Sequence, residues 1–238
     1  MAHKYYDATI IKIINESDLV KRYFIKMPPE SEFHFKAGQF IMLHLPIESK
    51  VPNRSYSIAS APSDDSIFEI CIILKQDGLG TPFIFEHFQV GTHVKVSKAL
   101  GKFFLPEVID HDLCFIATGT GIAPLRSQLW DLVNKKLPHQ NIYMIFGNRW
   151  EKDIIYRKEL EDLQLQNPEF RFIPVLSRSN EGWKGKNGYV HAIYEELFAD
   201  KRPAFFYICG WSEMLNEARH RLKEMGYDKQ YIKFESYD

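Results

Sequence analysis

Cysteine is scarce in this sequence: Cys71, Cys114 and Cys209 are the only three among 238 residues, and they lie far apart, with no metal-ligand spacing. That scatter excludes a disulfide framework and reads as free thiols in a reducing compartment. It also leaves too few close ligands for an iron–sulfur cluster in this chain, and no metal is expected. An excess of either charge is missing as well. Lys and Arg number 30 against 31 Asp and Glu, a formal net charge of -1, whereas a general nucleic-acid binder shows a strong positive excess. Long hydrophobic runs are absent: "MAHKYYDATIIKIINESD" has no apolar core of signal-peptide length, and no later run is long enough to span a bilayer. The chain is therefore read as cytoplasmic, with neither membrane nor nucleic acid as a partner. There are no internal repeats or low-complexity tracts. What remains is globular composition, 45% hydrophobic and 26% charged, in a chain able to hold one large domain or two ordinary ones.

The character of the sequence changes near residue 108. Before it, "DATIIKII", "RYFIKM", "QFIMLHL", "RSYSIAS", "IFEICIIL" and "THVKVS" are short β-rich runs separated by turn segments such as "MPPESE" and "PSDDS". Helical periodicity is confined to "TPFIFEHF". The pattern points to a small closed or nearly closed antiparallel barrel over residues 1–107, although spacing alone leaves a sandwich open. After it, "LCFIAT", "IYMIFG", "FRFIPVLS" and "AFFYICG" are apolar runs of a sheet covered on both faces. Between and after them come helix candidates: the Leu125, Leu129, Leu132, Val133 stripe, "YRKELEDLQLQ" and "SEMLNEARHRLKEMG". Residues 108–238 are accordingly expected to form an α/β domain with a parallel sheet and crossover helices.

Several short motifs carry chemistry. "CFIATGTGIAPLRSQL" places Gly119 and Gly121 directly after a strand and Pro124 at the mouth of a helix, where a proline costs no hydrogen bond. Glycines there allow close backbone approach, and the helix start offers free amides to an anionic nucleotide. A two-glycine turn is also a common structural device. In "YICGWSEML", Cys209 and Gly210 stand at a strand's carboxyl end, where ligands bind in open α/β sheets, or where a small thiol is simply buried. "NRSYSIASAP", residues 53–62, reads adequately as a plain strand, and "DGLGTP" as a hairpin turn.

Taken in order, "RSYS", "DGLGTP", "GTGIAP", "ICGWSEM" and a terminal "FESYD" resemble the ferredoxin–NADP reductase family over nearly the whole chain. The ordered set is far more specific than any one member. The resemblance implies an FAD-binding barrel followed by a nicotinamide-nucleotide domain, passing hydride between NADPH and flavin and electrons onward to a one-electron carrier such as ferredoxin or flavodoxin. It assigns the FAD pyrophosphate to Arg54, a permanently charged fork of donors, and one face of the isoalloxazine to Tyr56. Ser57 would point at flavin N5, with Ser55 in the same FAD-binding stretch. Gly78, Gly80 and Thr81 would complete the pyrophosphate site with amides and a hydroxyl at a helix start. Thr118, Gly119, Thr120, Gly121, Pro124, Cys209 and Gly210 would cradle the nicotinamide and its phosphates.

At the C-terminus, plant-type members end in an aromatic residue two positions after a glutamate. Glu235, Ser236 and Tyr237 reproduce that spacing, but Asp238 follows. The resemblance implies that Tyr237 covers the flavin and moves aside for nicotinamide, with Ser57, Cys209 and Glu235 near the hydride path; a frayed tail is the alternative. Ser177 and Arg178 lie where NADPH-using relatives bind the 2'-phosphate, yet "W-x-G-x-x-G-x-V" across Trp183 to Val190 is similar to NADH-using oxygenase reductases and flavin reductases. NADPH is the expected nucleotide and NADH the alternative. Arg54 with the Gly78 to Thr81 turn favours held FAD over a flavin reductase's transient substrate. A non-catalytic electron-relay subunit would bring a cysteine cluster, which this sequence lacks. Lys95, Lys98 and Lys102, with Arg219, Arg221 and Lys223, are either a docking face for an acidic carrier or a solvated surface.

Overall fold

The computed structural model describes residues 4–50 and 52–237, and the chain divides into two compact units. One holds residues 1–104 together with Arg126–Lys135, the other residues 105–125 and 136–238.

In the first unit, alternating apolar residues build six strands: Tyr5–Asn15 (β1), Val20–Lys26 (β2), Phe40–His44 (β3), Asn53–Ser57 (β4), Ile67–Ile73 (β5) and His93–Ser97 (β6). Ala8 and Ile10 of β1, Tyr23 and Ile25 of β2, and Ile41 and Leu43 of β3 are buried every second residue, as a pleated surface with one covered face requires. The antiparallel strands run in the order β4-β3-β6-β1-β2-β5. The two ends of that order meet, since Ile58 bridges Ile70 and the Ala59 N–H donates to the Glu69 carbonyl at 2.7 Å. The sheet therefore closes as a barrel, which settles barrel against sandwich and leaves few edge groups unpaired. One helix, Gly80–His87 (α1), buries Ile84 against the barrel core.

In the second unit, Asp112–Thr118 (β7), Ile142–Asn148 (β8), Phe170–Leu176 (β9), the short Lys186–Asn187 (β10), Ala204–Gly210 (β11) and Ile232–Ser236 (β12) form one parallel sheet in the order β10-β9-β8-β7-β11-β12. Its helices are Ile122–Lys135 (α2, shared between the units), Arg157–Gln166 (α3), Val190–Leu197 (α4) and Ser212–Glu224 (α5). The chain steps outward from β7 through β8 and β9, then returns to place β11 on the other side of β7. That reversal opens a crevice at the carboxyl ends of β7 and β11, the place where doubly wound sheets bind ligands. Three elements go beyond the sequence expectation: the short strand β10, helix α4 and the terminal strand β12. Residues Phe234 to Tyr237 are not a loose tail: Glu235 pairs with Cys209 and Ser236 with Gly210, and the Tyr237 N–H donates to the Gly210 carbonyl at 2.9 Å. Asp238 lies outside the described residues. Among those residues no helix is long and apolar enough to cross a membrane.

Candidate nucleotide-binding sites

In the first unit, β4 pairs with β3 so that Ser57 faces Phe40, Tyr56 faces Ile41 and Arg54 faces Leu43. Strand alternation sets Arg54 and Tyr56 on one face, and Ser55 and Ser57 on the other. Tyr56 packs half-buried on the barrel core, and burial pushes its phenol up to about 12, with the Arg54 guanidinium pulling the other way. Arg54 Nη1 donates to the Asn53 carbonyl at 3.0 Å, and its side chain lies against the start of α1. A Cβ on Gly80 would stand 3.0 Å from Arg54 Nε and 3.3 Å from a Leu45 methyl, so glycine lets the guanidinium settle beside the helix-start amides. A guanidinium beside a helix start is the kind of arrangement that suits an anion. Gly78 N–H donates to the Lys75 carbonyl at 2.9 Å and Thr81 Oγ1 accepts from Lys75 N–H at 2.8 Å, closing the turn into α1. Thr81 Oγ1 also donates to the Lys75 carbonyl at 3.3 Å, so the hydroxyl is engaged by the turn itself. Ser57 is buried, whereas Ser55 is exposed with its hydroxyl 3.2 Å from Met42 Sδ.

In the second unit, the turns after β7 and β11 interlock backbone to backbone. A Cβ on Gly121 would collide with the Cys209 carbonyl and come within 2.7 Å of Gly210 Cα. Thr118 Oγ1 accepts from the Trp211 N–H at 3.3 Å, tying the end of β7 to the start of α5. Gly119 has a φ of +54° with open space above its Cα, and Thr120 is buried below it. Pro124 falls in the first turn of α2 and spoils no helical bond. Cys209, Glu235 and Tyr237 come together here. Burial holds the Cys209 thiol well above its ordinary value, the Glu235 carboxylate pushes it further the same way, and hydrogen bonds from Tyr237 and the Gly210 backbone oppose them. Cys209 is thus a neutral thiol near neutral pH and no nucleophile. Cys71 and Cys114 are buried too, and all three are unbonded to one another. Ellman's reagent should therefore label none of them in the native protein within minutes at pH 8, and all of them in guanidinium. Prompt release from the native fold would contradict the burial of these thiols.

Ser177 and Arg178 follow β9 at the same sheet edge, Ser177 N–H donating to the Asn148 carbonyl at 3.0 Å. Arg178 sits over the Trp150 ring at 5.9 Å, a cation on an aromatic face. Beside them Trp150, Glu151, Lys152, Arg157 and Asn180 line a cavity of ≈ 440 Å³. Arg157 grips Glu151 at 2.6 Å and Glu161 at 2.7 Å and lies over Trp183, which fixes the cavity wall. Trp150 escaped the sequence reading, because a lone tryptophan between strand and helix carries no motif. Lys186 pairs with Glu196 at 3.1 Å, Lys95 with Asp7 at 2.9 Å, and Arg221 with Glu195 at 3.0 Å, so these three cations are partly neutralised at the surface.

A closed barrel followed in sequence by a doubly wound sheet with a glycine-lined switch point is the architecture of a flavin- and nicotinamide-nucleotide-dependent oxidoreductase. Residues 7–105 match the oxidoreductase FAD-binding domain and residues 115–220 the oxidoreductase NAD-binding domain. The chain belongs to the ferredoxin–NADP reductase family. It is 31% identical over 241 residues to ferredoxin–NADP reductase B of Sorangium cellulosum, covering 98% of each protein. It is 30% identical to the phenol hydroxylase P5 protein of Acinetobacter pittii over 90% of this chain but only 60% of that protein. The crystal structure of a ferredoxin–NADP reductase from Neisseria gonorrhoeae with bound FAD and NADP superposes with a TM-score of 0.85 at 25% identity, covering 99% of this chain and of that one.

Proposed function

We propose that this oxidoreductase is a cytoplasmic reductase that holds FAD tightly, takes hydride from NADPH and passes electrons singly to a small carrier such as ferredoxin or flavodoxin. The observation that carries this is the Arg54 guanidinium lying against the Gly80 helix start, a cationic seat for a pyrophosphate, which FAD has and riboflavin or FMN lacks. FAD, when bound, supplies the chemistry of accepting an electron pair and releasing electrons one at a time. The protein's part is position and exclusion of water. Tyr56 offers a flat apolar face, Ser57 a hydroxyl held by a buried strand end, and Cys209 a neutral thiol beside the Glu235 carboxylate. Tyr237 is the side chain to cover the flavin before nicotinamide arrives.

Arg178 and Ser177 support NADPH, since a guanidinium beside a hydroxyl suits a 2'-phosphate dianion. One observation favours NADH: Glu151 lines the neighbouring cavity, and a carboxylate there would accept from a ribose diol and repel a phosphate. Its charge is answered by Arg157 at 2.6 Å, which keeps NADPH the preferred reading. The purified, desalted protein should show flavin absorption bands that bleach on anaerobic addition of NADPH faster than with NADH. Bleaching by NADH alone would reverse the nucleotide choice. A colourless protein that reduces added flavin would be a flavin reductase, and one that does neither would be a relay module.

A further inference from the structure

The run "ICGWSEM" exposes one large side chain at the carboxyl end of β11, in the second unit. Trp211 follows Gly210 directly, caps the start of α5 and is 62% exposed. Its backbone is nevertheless held firmly. The Trp211 N–H donates to Thr118 Oγ1 at 3.3 Å, and its carbonyl accepts from the Leu215 N–H at 3.0 Å. The next residue, Ser212, bonds Ser236 hydroxyl to hydroxyl at 2.6 Å. Gly210, at φ +144°, leaves room for the Thr118 bond, since a Cβ there would strike Thr118 Oγ1. The indole itself is unengaged: among the described residues it stacks on no ring, faces no cation and gives its N–H to no acceptor.

An isolated exposed aromatic is ordinary on a protein surface, and place is what sets this one apart. Its Cα is fixed beside the β7 and β11 turns, where an open α/β sheet binds its ligand, and it falls within residues 115–220, the match to the NAD-binding domain. Strand order assigns it to one half of a dinucleotide. Ser177 and Arg178, read above as the seat of the 2'-phosphate, follow β9. From β9 the order runs β8, β7, β11, so Trp211 lies three strand spacings away, about 14 Å. A dinucleotide laid across the carboxyl ends with its adenosine over β9 therefore brings its nicotinamide half to β7 and β11. Oxidised nicotinamide is a flat, positively charged ring, and indole is the side-chain ring whose face attracts a cation best.

We propose that Trp211 is a binding residue for the nicotinamide half of the dinucleotide, its indole packing on that half at the switch point. The inference rests on the reductase function proposed above and adds to it a residue that no glycine motif marks. Thr118, by holding the Trp211 N–H, sets where the indole stands. The competing occupant of an exposed tryptophan is a protein partner, and the test separates the two.

Calorimetric titration of the holoenzyme tests this with Trp211→Leu and Trp211→Phe. One ligand is the oxidised form of whichever nicotinamide nucleotide bleaches the wild type faster. The other is its adenosine fragment without the nicotinamide half, adenosine 2',5'-bisphosphate for NADP+ or AMP for NAD+. The dinucleotide Kd should rise about tenfold in Trp211→Leu, which keeps apolar surface without an aromatic face, and about threefold in Trp211→Phe, whose smaller ring keeps part of it. The fragment makes no such contact, so its Kd should move by less than about twofold in either variant. Equal weakening of both ligands would make Trp211 a prop of the unit as a whole and overturn the proposal. An unchanged dinucleotide Kd would overturn it too, and a raised KM for ferredoxin in that variant would assign Trp211 to a protein partner instead. If Trp211→Leu does not retain flavin, Trp211→Phe decides: a weaker dinucleotide with an unchanged fragment supports the contact, and no change in either refutes it. Failure of any nicotinamide nucleotide to bleach the wild-type flavin would refute the reductase reading itself, independently of Trp211.

Discussion

Arg54→Leu is expected to emerge from purification without FAD while keeping its fold. The leucine retains apolar packing beside Leu45 and Gly80 but removes the guanidinium, so the loss is electrostatic and not steric. Two charge-assisted hydrogen bonds to a pyrophosphate are together worth about 3 kcal/mol, or about a 10²-fold rise in Kd. The remaining donors are the helix-start amides, since Thr81's hydroxyl closes its own turn. Titration of the apoproteins with FAD, followed by quenching of flavin fluorescence, measures the effect directly. FMN is the control ligand, as it lacks the adenosine monophosphate part and so has a single phosphate in place of the pyrophosphate. Wild type should prefer FAD to FMN strongly, and the variant should lose most of that preference. Unchanged FAD affinity in Arg54→Leu would remove the pyrophosphate from this site and with it the main support for tightly held FAD.

Much of the architecture was legible because local pattern and tertiary environment agree. The six β-rich runs before residue 108 are the six barrel strands, and the apolar runs after it are β7, β8, β9 and β11, of which the central β7 and β11 are buried on both faces as such runs demand. A closed or nearly closed barrel was expected, with a sandwich left open; the particular pairing that closes it, the Ile58–Ile70 bridge, was not legible, since no turn motif announces it. Strand β12 was obscured for a different reason. "IKFES" is mostly exposed at an edge, and its place is set by parallel pairing to β11, which leaves no alternation to read. Helix α4, with eight residues, is too short to display a convincing period.

The site divides in the same way. "RSYS", "GTGIAP" and "ICGW" stood out as motifs because each is a short run of consecutive residues. The buried ion pair of Glu69 and Arg126, 57 positions apart, did not, because neither residue type nor spacing distinguishes them from surface charges until the fold buries them. The Thr81 hydroxyl shows the opposite limit: the motif offered it as a phosphate ligand, and only the structure shows its two bonds to Lys75.

The second large effect is expected at Gly121. Its Cα lies against the Cys209 peptide, whose carbonyl carbon would be 2.6 Å from an added Cβ, with Gly210 Cα at 2.7 Å. These obstacles are backbone of a central strand, so no rotamer change relieves them. Gly121→Ala must push the β7 and β11 turns apart, costing about 3 kcal/mol by the scale of core overpacking, or a fall in Tm of about 6–12 °C for a chain of this length. Gly119 provides the contrast within the same motif. Nothing stands within 4 Å of an added Cβ there, so Gly119→Ala meets only the left-handed backbone at φ +54°, a cost of about 1 kcal/mol. Thermal unfolding of the two variants should therefore separate by several degrees, with Gly121→Ala the lower. The nucleotide effect should follow the same order, because separating the turns displaces the peptides that line the switch point, while a methyl at Gly119 leaves them in place. Equal Tm values would mean that the interlocked turns give way freely, and the glycine spacing of this motif would then serve ligand approach alone.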